Sequence, residues 1–195
     1  MRNLGSVIHA NINIKGGNIF QNEIYKVIRD ARASDGTNRH LSVLQEHKIP
    51  LIERTQETNR RKYHKVDIFI IDETTVTAIN SKGKSFNNTM SEDSALHEYN
   101  WYLDSIKALY PQKECRYWIF KDEYNPSDSR MGVYRYLNAN GIFVYNTEQY
   151  LVEHYGCDFT TLEHNRQERA VAECETGMRN NGYNPDLLYQ LTNNS

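Results

Sequence analysis

The chain has 195 residues, with 23 basic and 25 acidic side chains, a formal net charge of −2 and 38% hydrophobic residues. This length is sufficient for one domain with a real core, and the near-neutral charge excludes binding of nucleic acid through a global positive field. No apolar run approaches the ~20 residues of a membrane span. The start of the chain has no signal-peptide pattern, and three cysteines without paired spacing fit a reducing compartment. We therefore expect a cytoplasmic protein without a membrane partner.

The first predicted element is a helix over "IFQNEIYKVIRDAR", capped by Asn18. Glu23 falls within its apolar stripe, where a carboxylate is costly unless it has a partner. Glu23 is therefore either a boundary residue that reaches solvent or an acid that reaches into a site. The apolar residues of the stripe recur at helical spacing: Ile19, Phe20, Ile24, Val27 and Ile28.

Residues 34–48 are predicted to form a loop and a second, weaker helical segment that ends at Pro50. A basic stretch, "RTQETNRRKYHK", follows at residues 54–65. The segment "KVDIFIIDETTVTAINSK" then predicts two antiparallel strands joined by a turn at "DETT". Asp67 lies on the first strand, and Asn80 and Lys82 lie on one face of the second, because strand residues separated by one point to the same side.

The rest of the chain alternates predicted helices and strands. Ser91 caps a long helix that Pro111 ends, "CRYWIFK" is a buried strand, and "PSDSRMGVYRYLNANG" is a helix. "IFVYN" is a further strand, and Thr147 caps a helix that ends at Gly156. The last forty or so residues are predicted to be a polar, helical extension over 157–195. This order predicts an α/β fold whose mixed central sheet combines a hairpin with parallel, helix-linked strands, flanked by helices.

Asp67, Asn80 and Lys82 form a constellation with recognisable chemistry. Mg²⁺ takes hard oxygen ligands, usually one or two carboxylates together with waters and phosphate oxygens. Asp67 and the side-chain oxygen of Asn80 are the candidate metal ligands. Lys82 is suited to orient or deprotonate a water, or to neutralise charge on a phosphodiester in the transition state. The combination predicts hydrolysis of phosphodiester bonds.

The chain at this point resembles the PD-(D/E)XK nuclease superfamily, and in particular the type II restriction endonucleases. The resemblance rests on Asp67, the intervening hairpin and "NSK" at residues 80–82, together with the order of elements over about residues 18–155. It implies a single nuclease-like domain with a restriction-endonuclease-like core, Mg²⁺ as cofactor with Mn²⁺ as a substitute, double-stranded DNA as substrate and a homodimer. An acid on the first core helix often joins the site of this family, and Glu23 is the position that would carry this role.

Position 80 departs from the family pattern, because Asp or Glu is expected there. An amide oxygen still ligates a metal, but the lost negative charge predicts weaker metal affinity and weaker cleavage. Three explanations stay open: a cleavage-blocking replacement of Asp, a natural variant in which a neighbouring acid supplies the charge, or a nuclease relic that only binds DNA. The acids considered for the second explanation are Asp72, Glu73 and Glu23.

Two segments are predicted to contact DNA. Basic side chains just ahead of the candidate site suit the phosphate backbone, whereas the polar loop after Lys82 offers groups for phosphates and base edges. The predicted contacts are Arg60, Arg61, Lys62 and Lys65 in the first segment, and Lys84, Ser85, Asn87, Asn88 and Thr89 in the second. The alternative functions are a repair, phage or mobile-element nuclease of the same fold, a catalytically silent DNA-binding domain, and an interaction protein in which Asp67 and Lys82 form a structural ion pair.

Overall fold

The computed structural model describes residues 19–31, 42–53, 62–83 and 90–186. Its helices are α1 (19–31), α2 (Glu92–Leu109), α3 (Gly132–Ala139), α4 (Thr147–Tyr155) and α5 (Phe159–Asn180), with a short 3₁₀ turn at Ser129–Met131. Its strands are β1 (Ser42–Pro50), β2 (Tyr63–Ile71), β3 (Thr75–Lys82), β4 (Glu114–Lys121) and β5 (Phe143–Asn146).

The five strands form one sheet in the order β1-β2-β3-β4-β5. The β1–β2 and β2–β3 pairs are antiparallel, whereas the β3–β4 and β4–β5 pairs are parallel. Parallel neighbours require a crossover connection, and α2 and α3 provide these crossovers. The predicted α/β fold with a mixed, helix-flanked sheet is therefore confirmed.

The prediction for residues before Pro50 was wrong, because Ser42–Pro50 is a strand and not a helical segment. Its sequence, "SVLQEHKIP", contains good helix formers, and most of its side chains are exposed, so alternation of apolar and polar residues is weak. Pairing with β2 overrides this local preference, since strand formation depends on the neighbouring strand more than on intrinsic propensity.

Two predicted helix caps had different outcomes. The Ser91 hydroxyl accepts a hydrogen bond from the Ser94 amide at 3.3 Å, which confirms the predicted start of α2. For α4 the cap is Asn146, one residue before the predicted Thr147, and its side chain accepts from the Gln149 amide at 3.0 Å. Thr147 is instead the first helical residue, and its hydroxyl is buried. Gly156 ends α4 with a φ of 60°, as its sequence position predicted.

The sheet carries a different hydrophobic layer on each face. One face packs against α2 and α3 through a cluster that includes Phe69, Ala78, Ile106, Tyr117 and Leu137. The opposite face carries Trp118, Phe120 and Tyr145, which pack against one another and against Tyr150 of α4 with ring centroids 4.8–6.1 Å apart. The first of these layers lies directly beside the end of β2 and β3 that carries the predicted site.

The chain divides into two compact units, residues 25–156 and residues 1–24 with 157–195. The first contains the sheet. The second contains α5 and the start of α1, joined by an edge-to-face contact between Phe20 and Phe159 at 5.9 Å. In the described segments, no helix combines the length and apolar character needed to cross a membrane.

Candidate active site

Asp67 lies at an irregular point of β2, outside regular pairing on both sides. The β1–β2 register passes from Gln45 opposite Ile68 to His47 opposite Val66, and Glu46, which faces Asp67 between them, has a positive φ of 52°. A positive φ is unfavourable for a residue with a side chain and occurs often at functional sites. On the other side, the β2–β3 register stops at Ile68 opposite Ile79.

Where the backbone pairing of β2 and β3 stops, hydrogen bonds that involve side chains join the two strands. The Asp67 amide donates to Asn80 Oδ1 at 3.3 Å. Asp67 Oδ2 accepts from the Ser81 amide at 2.7 Å and from the Ser81 hydroxyl at 3.1 Å. Within the described segments, these are the hydrogen bonds of the Asp67 carboxylate, so Oδ1 is left without a donor. Continuing the register by one step sets Asp67 opposite Asn80, and directly opposed residues of antiparallel strands share a face.

The Asp67 carboxylate lies in an environment that disfavours its charge. Burial raises the pKa of Asp67 above its usual value, against the hydrogen bonds from Ser81 and the positive charges of Lys82 and Lys65, which lower it. Because burial outweighs these effects, the hydrogen bonds and positive charges around Asp67 offset only part of the cost of burying its charge. A further cation at Oδ1 would stabilise it.

Lys82 ends β3 beside this carboxylate. Burial lowers the pKa of the Lys82 ammonium, while the negative charges of Asp67 and Glu98 raise it. A lowered lysine pKa makes the neutral amine more accessible, as an acid–base role requires. Lys82 is therefore close enough to Asp67 for their charges to interact, as the hairpin prediction required.

Glu98 is a further carboxylate whose charge acts on Lys82, and the sequence analysis did not single it out. It lies on α2, and its carboxylate accepts a hydrogen bond from the Tyr102 hydroxyl one turn later. Glu98 lies three residues after Ala95, which is fully buried, and four before Tyr102, which is 3% exposed. Its position on the buried face of a helix is the same signal that singled out Glu23 on α1.

Tyr102, the hydrogen-bond partner of Glu98, belongs to a layer of packed aromatic side chains. Tyr102 stacks on His64, with ring centroids 3.6 Å apart and planes within 6°. His64 Nε2 lies 2.7 Å from the Tyr117 hydroxyl, and Tyr99 packs on the Tyr117 ring at 5.4 Å. Burial raises the pKa of Tyr99 and of Tyr117, so both phenols stay neutral. The layer is thus close-packed, carries two neutral phenols and lies near Asp67 and Glu98.

The other predicted site residues that the structure describes have contacts of their own. Glu23 forms an ion pair with Arg169 of α5. Lys62 and Lys65 are exposed, and Lys65 Nζ lies 2.9 Å from Glu46 Oε1. The remaining predicted DNA contacts lie outside the described residues: Arg60, Arg61, Lys84, Ser85, Asn87, Asn88 and Thr89.

Asp72 and Glu73 lie at the opposite end of the hairpin. The Asp72 amide donates to Thr75 O at 2.9 Å, and Asp72 Oδ1 accepts from the Glu73 amide at 2.6 Å. Asp72 lies five residues after Asp67 along extended β2, a span of about 16 Å at ~3.3 Å per residue. These two acids shape the turn and do not supply charge to position 80.

Few side chains around Asp67, at the end of the hairpin away from the turn, are able to ligate a metal ion. Across the segments that the structure describes, no group of three or more His, Cys, Asp or Glu side chains is arranged to hold a metal ion. The donors near Asp67 are one carboxylate and the amide oxygen of Asn80. Such a pair is compatible with Mg²⁺, which keeps several waters and uses few protein ligands.

Comparisons with known proteins add little to this geometry. No family profile matches the chain, and no curated protein is similar to it at a significant level. The crystal structure of AF1548, a protein of unknown function, is similar over 87% of this chain and 94% of that chain, with 14% sequence identity and a TM-score of 0.40. The chemistry of the site therefore rests on the contacts of Asp67, Asn80, Lys82 and Glu98.

Proposed function

We propose that this chain is a Mg²⁺-dependent endonuclease of double-stranded DNA, similar to the type II restriction enzymes of the PD-(D/E)XK superfamily. The observation that supports this proposal is the interrupted ladder at Asp67. A carboxylate, an amide oxygen and an ammonium converge where β2 and β3 separate, and the carboxylate is under-compensated. A merely structural strand end has no need of this arrangement, because regular pairing would satisfy the same backbone groups.

The residues divide the proposed work among them. Asp67 Oδ1 and Asn80 would hold Mg²⁺, which supplies Lewis-acid activation of the scissile phosphate. Lys82 would orient the attacking water and neutralise charge on the phosphate in the transition state. Ser81 fixes the Asp67 carboxylate through two hydrogen bonds, which orient Oδ1, the oxygen that would hold the metal.

Asn80 favours one alternative, a DNA-binding domain that does not cut. Its amide supplies an oxygen but no charge, and its Oδ1 already accepts from the Asp67 amide. A carboxylate at position 80 would keep that hydrogen bond and add a second oxygen and a negative charge. The substitution Asn80→Asp therefore separates an impaired nuclease from a binding module.

The test compares the chain with its Asn80→Asp variant on plasmid and phage DNA of mixed sequence, with Mg²⁺ or Mn²⁺ and with chelator. We expect discrete fragments from Asn80→Asp with either metal, at a rate about 100-fold or more above the unsubstituted chain, the scale of a lost charged catalytic group. The matched control is the double variant Asp67→Asn, Asn80→Asp, which should lose the gained cleavage. Activity that survives in the double variant would come from a contaminating nuclease.

Each other outcome selects a different function. Cleavage without discrete fragments would favour a nuclease of repair, phage or mobile-element type. A DNA mobility shift at low salt without cleavage by either protein would favour the silent binding module. Absence of both binding and cleavage would contradict the proposal. The proposal also includes a two-fold homodimer, which sedimentation of the purified chain would detect.

A further inference from the structure

Strands β1 and β2 continue as a two-stranded ribbon beyond the point where β2 stops pairing with β3. The β2–β3 register stops at Ile68, whereas β1 and β2 stay paired as far as Pro50 opposite Tyr63. The Leu51 amide then donates to Lys62 O at 3.1 Å, which extends the pairing by one more residue. The β2 side of this ribbon therefore includes the end of the basic stretch at residues 54–65.

One face of the ribbon packs against α2. Val66 is fully buried, and His64 stacks on the Tyr102 ring of α2 with centroids 3.6 Å apart. Just beyond β1, the Ile52 carbonyl accepts a hydrogen bond from Trp101 Nε1 of α2 at 3.0 Å. The ribbon is thus anchored through this face, so substitutions of exposed side chains on its other face should leave the fold intact.

The other face of the ribbon carries two lysines in direct opposition. Lys48 of β1 and Lys65 of β2 are partners in the register, and both side chains are exposed. Tyr63 lies two residues before Lys65, points to the same side and is 48% exposed. Like charges on directly opposed residues of antiparallel strands are destabilising. An anion bound between the two ammonium groups would remove this repulsion.

Each lysine has a weak partner within the chain. Lys48 Nζ lies 4.7 Å from the centroid of the Tyr63 ring, and Lys65 Nζ lies 2.9 Å from Glu46 Oε1. The side chains of Lys65 and Glu46 are 49% and 58% exposed, and exposed ion pairs of this kind contribute little. A bound phosphate can therefore replace Glu46 as the partner of Lys65. Glu46 then competes with the anion.

The charge distribution indicates what kind of anion this face would bind. Residues 46–65 carry six basic and three acidic side chains, whereas the whole chain has a net charge of −2. A local cationic region suits a partner with many negative charges, and duplex DNA carries one per ~1.7 Å of its axis. Lys65 also lies two residues before Asp67, about 6.6 Å along the strand at ~3.3 Å per residue. A phosphate held at Lys65 would lie beside the candidate active site.

We infer that the exposed face of the β1–β2 ribbon, through Lys48 and Lys65, binds the phosphate backbone of duplex DNA beside the candidate active site. The inference rests on the proposed function, because that function makes DNA the partner. It adds Lys48, which the sequence analysis placed in a helical segment and assigned no role. Phosphate contacts fix the position of a protein on the duplex without reading its sequence. The ribbon would therefore hold the duplex in place at Asp67.

The experiment measures binding of a fluorescent 30-base-pair duplex to the full chain by anisotropy, with chelator, at several salt concentrations. We expect Lys48→Gln and Lys65→Gln each to weaken binding about tenfold at about 50 mM salt and to lower the salt slope by about one. A second duplex of unrelated sequence should show the same losses. Glu46→Gln removes the competing carboxylate and should tighten binding several-fold. The matched control is Lys107→Gln on exposed α2, which removes the same charge and should change affinity less than about twofold.

Four results would overturn the inference. Losses in Lys48→Gln and Lys65→Gln no larger than in Lys107→Gln would reduce the effect to net charge. Losses on one duplex only would indicate base contacts instead of backbone contacts. Weaker binding by Glu46→Gln would contradict its role as a competitor, and this variant decides the point if a lysine variant fails to fold. Absence of duplex binding by the unsubstituted chain would remove the surface.

The proposed function is judged by a different measurement, cleavage with Asn80→Asp. If that variant does not cut while the two lysine variants lose affinity, the ribbon is the DNA-binding surface of a domain without nuclease activity. If it cuts while the lysine variants bind normally, the ribbon assignment alone is wrong.

Discussion

Lys82 and Lys121 occupy matching positions at the ends of neighbouring parallel strands and lie opposite each other in the β3–β4 register. Burial lowers the pKa of both ammonium groups. Their partners differ. Lys121 is 1% exposed, and its Nζ donates to the backbone carbonyls of Gly83 and Asp122, each at 2.8 Å. The carboxylates that act on Lys82 are those of Asp67 on β2 and Glu98 on α2, whereas those that act on Lys121 are its chain neighbours Asp122 and Glu123.

This difference separates a structural lysine from a candidate catalytic one. Backbone carbonyls do not titrate, and the two that bind Lys121 Nζ follow the ends of β3 and β4, so Lys121 links these two strand ends. The Asp122 amide also links the two strand ends, since it donates to Lys82 O at 2.8 Å. Carboxylates of side chains exchange partners with cations and water, so the environment of Lys82 responds to what binds. Three predictions examine the contrast.

The largest expected effect is on cleavage by Lys82→Met. In the Asn80→Asp background we expect the rate to fall about 100-fold or more, since proton transfer and positioning by one side chain contribute on this scale. Plasmid cleavage under single-turnover conditions measures the rate, and circular dichroism checks that the fold is retained. Cleavage within a few-fold of the parent would make Lys82 a structural residue like Lys121.

Lys121→Met should affect stability instead of cleavage. The substitution removes both hydrogen bonds to the carbonyls of Gly83 and Asp122 from a buried site, and we expect a loss of about 1–3 kcal/mol in the free energy of unfolding. Urea denaturation measures this loss, with Lys107→Met on the exposed side of α2 as the control. A stable variant with strongly reduced cleavage would reverse the roles of the two lysines.

The smallest expected effect is the change in stability with pH that ionisation of the Asp67 carboxylate causes. Its folded pKa is raised, so its contribution to stability is complete below the unfolded pKa of about 3.9 and is lost as the pH rises through the folded pKa. We therefore expect the melting temperature of Asp67→Asn, relative to the unsubstituted chain, to increase from acid to neutral pH. Asp67→Asn keeps an oxygen that accepts from Ser81, so the comparison isolates the charge.

Thermal unfolding of both proteins between about pH 4 and 8 measures this difference. The matched control is Asp72→Asn at the turn end of the same hairpin. A flat or decreasing difference for Asp67→Asn would show that the Asp67 carboxylate is well compensated without a cation. The basis for the proposed metal site would then be lost.

The sequence allowed prediction of the hairpin, the helix-linked strands and the shared face of Asp67, Asn80 and Lys82, because each depends on local periodicity. It did not reveal β1, whose pairing with β2 is a tertiary effect that its exposed, helix-favouring residues conceal. Glu98 was also missed, since the effect of its charge on Lys82 crosses from α2 to the sheet. Such an effect has no signature in residue spacing beyond a polar residue on a buried helix face.

The positive φ of Glu46 also affects how the sheet meets other chains. Within the described segments β1 and β5 are the outer strands, and an outer strand presents backbone groups that can pair with a second molecule and seed aggregation. The irregular backbone at Glu46 interrupts that row near its middle, and Pro50 removes a donor at its end. β5 is only four residues long. The distortion beside Asp67 therefore also protects the chain against strand-to-strand association, and we expect any two-fold dimer to form through side chains and not through a continuous sheet.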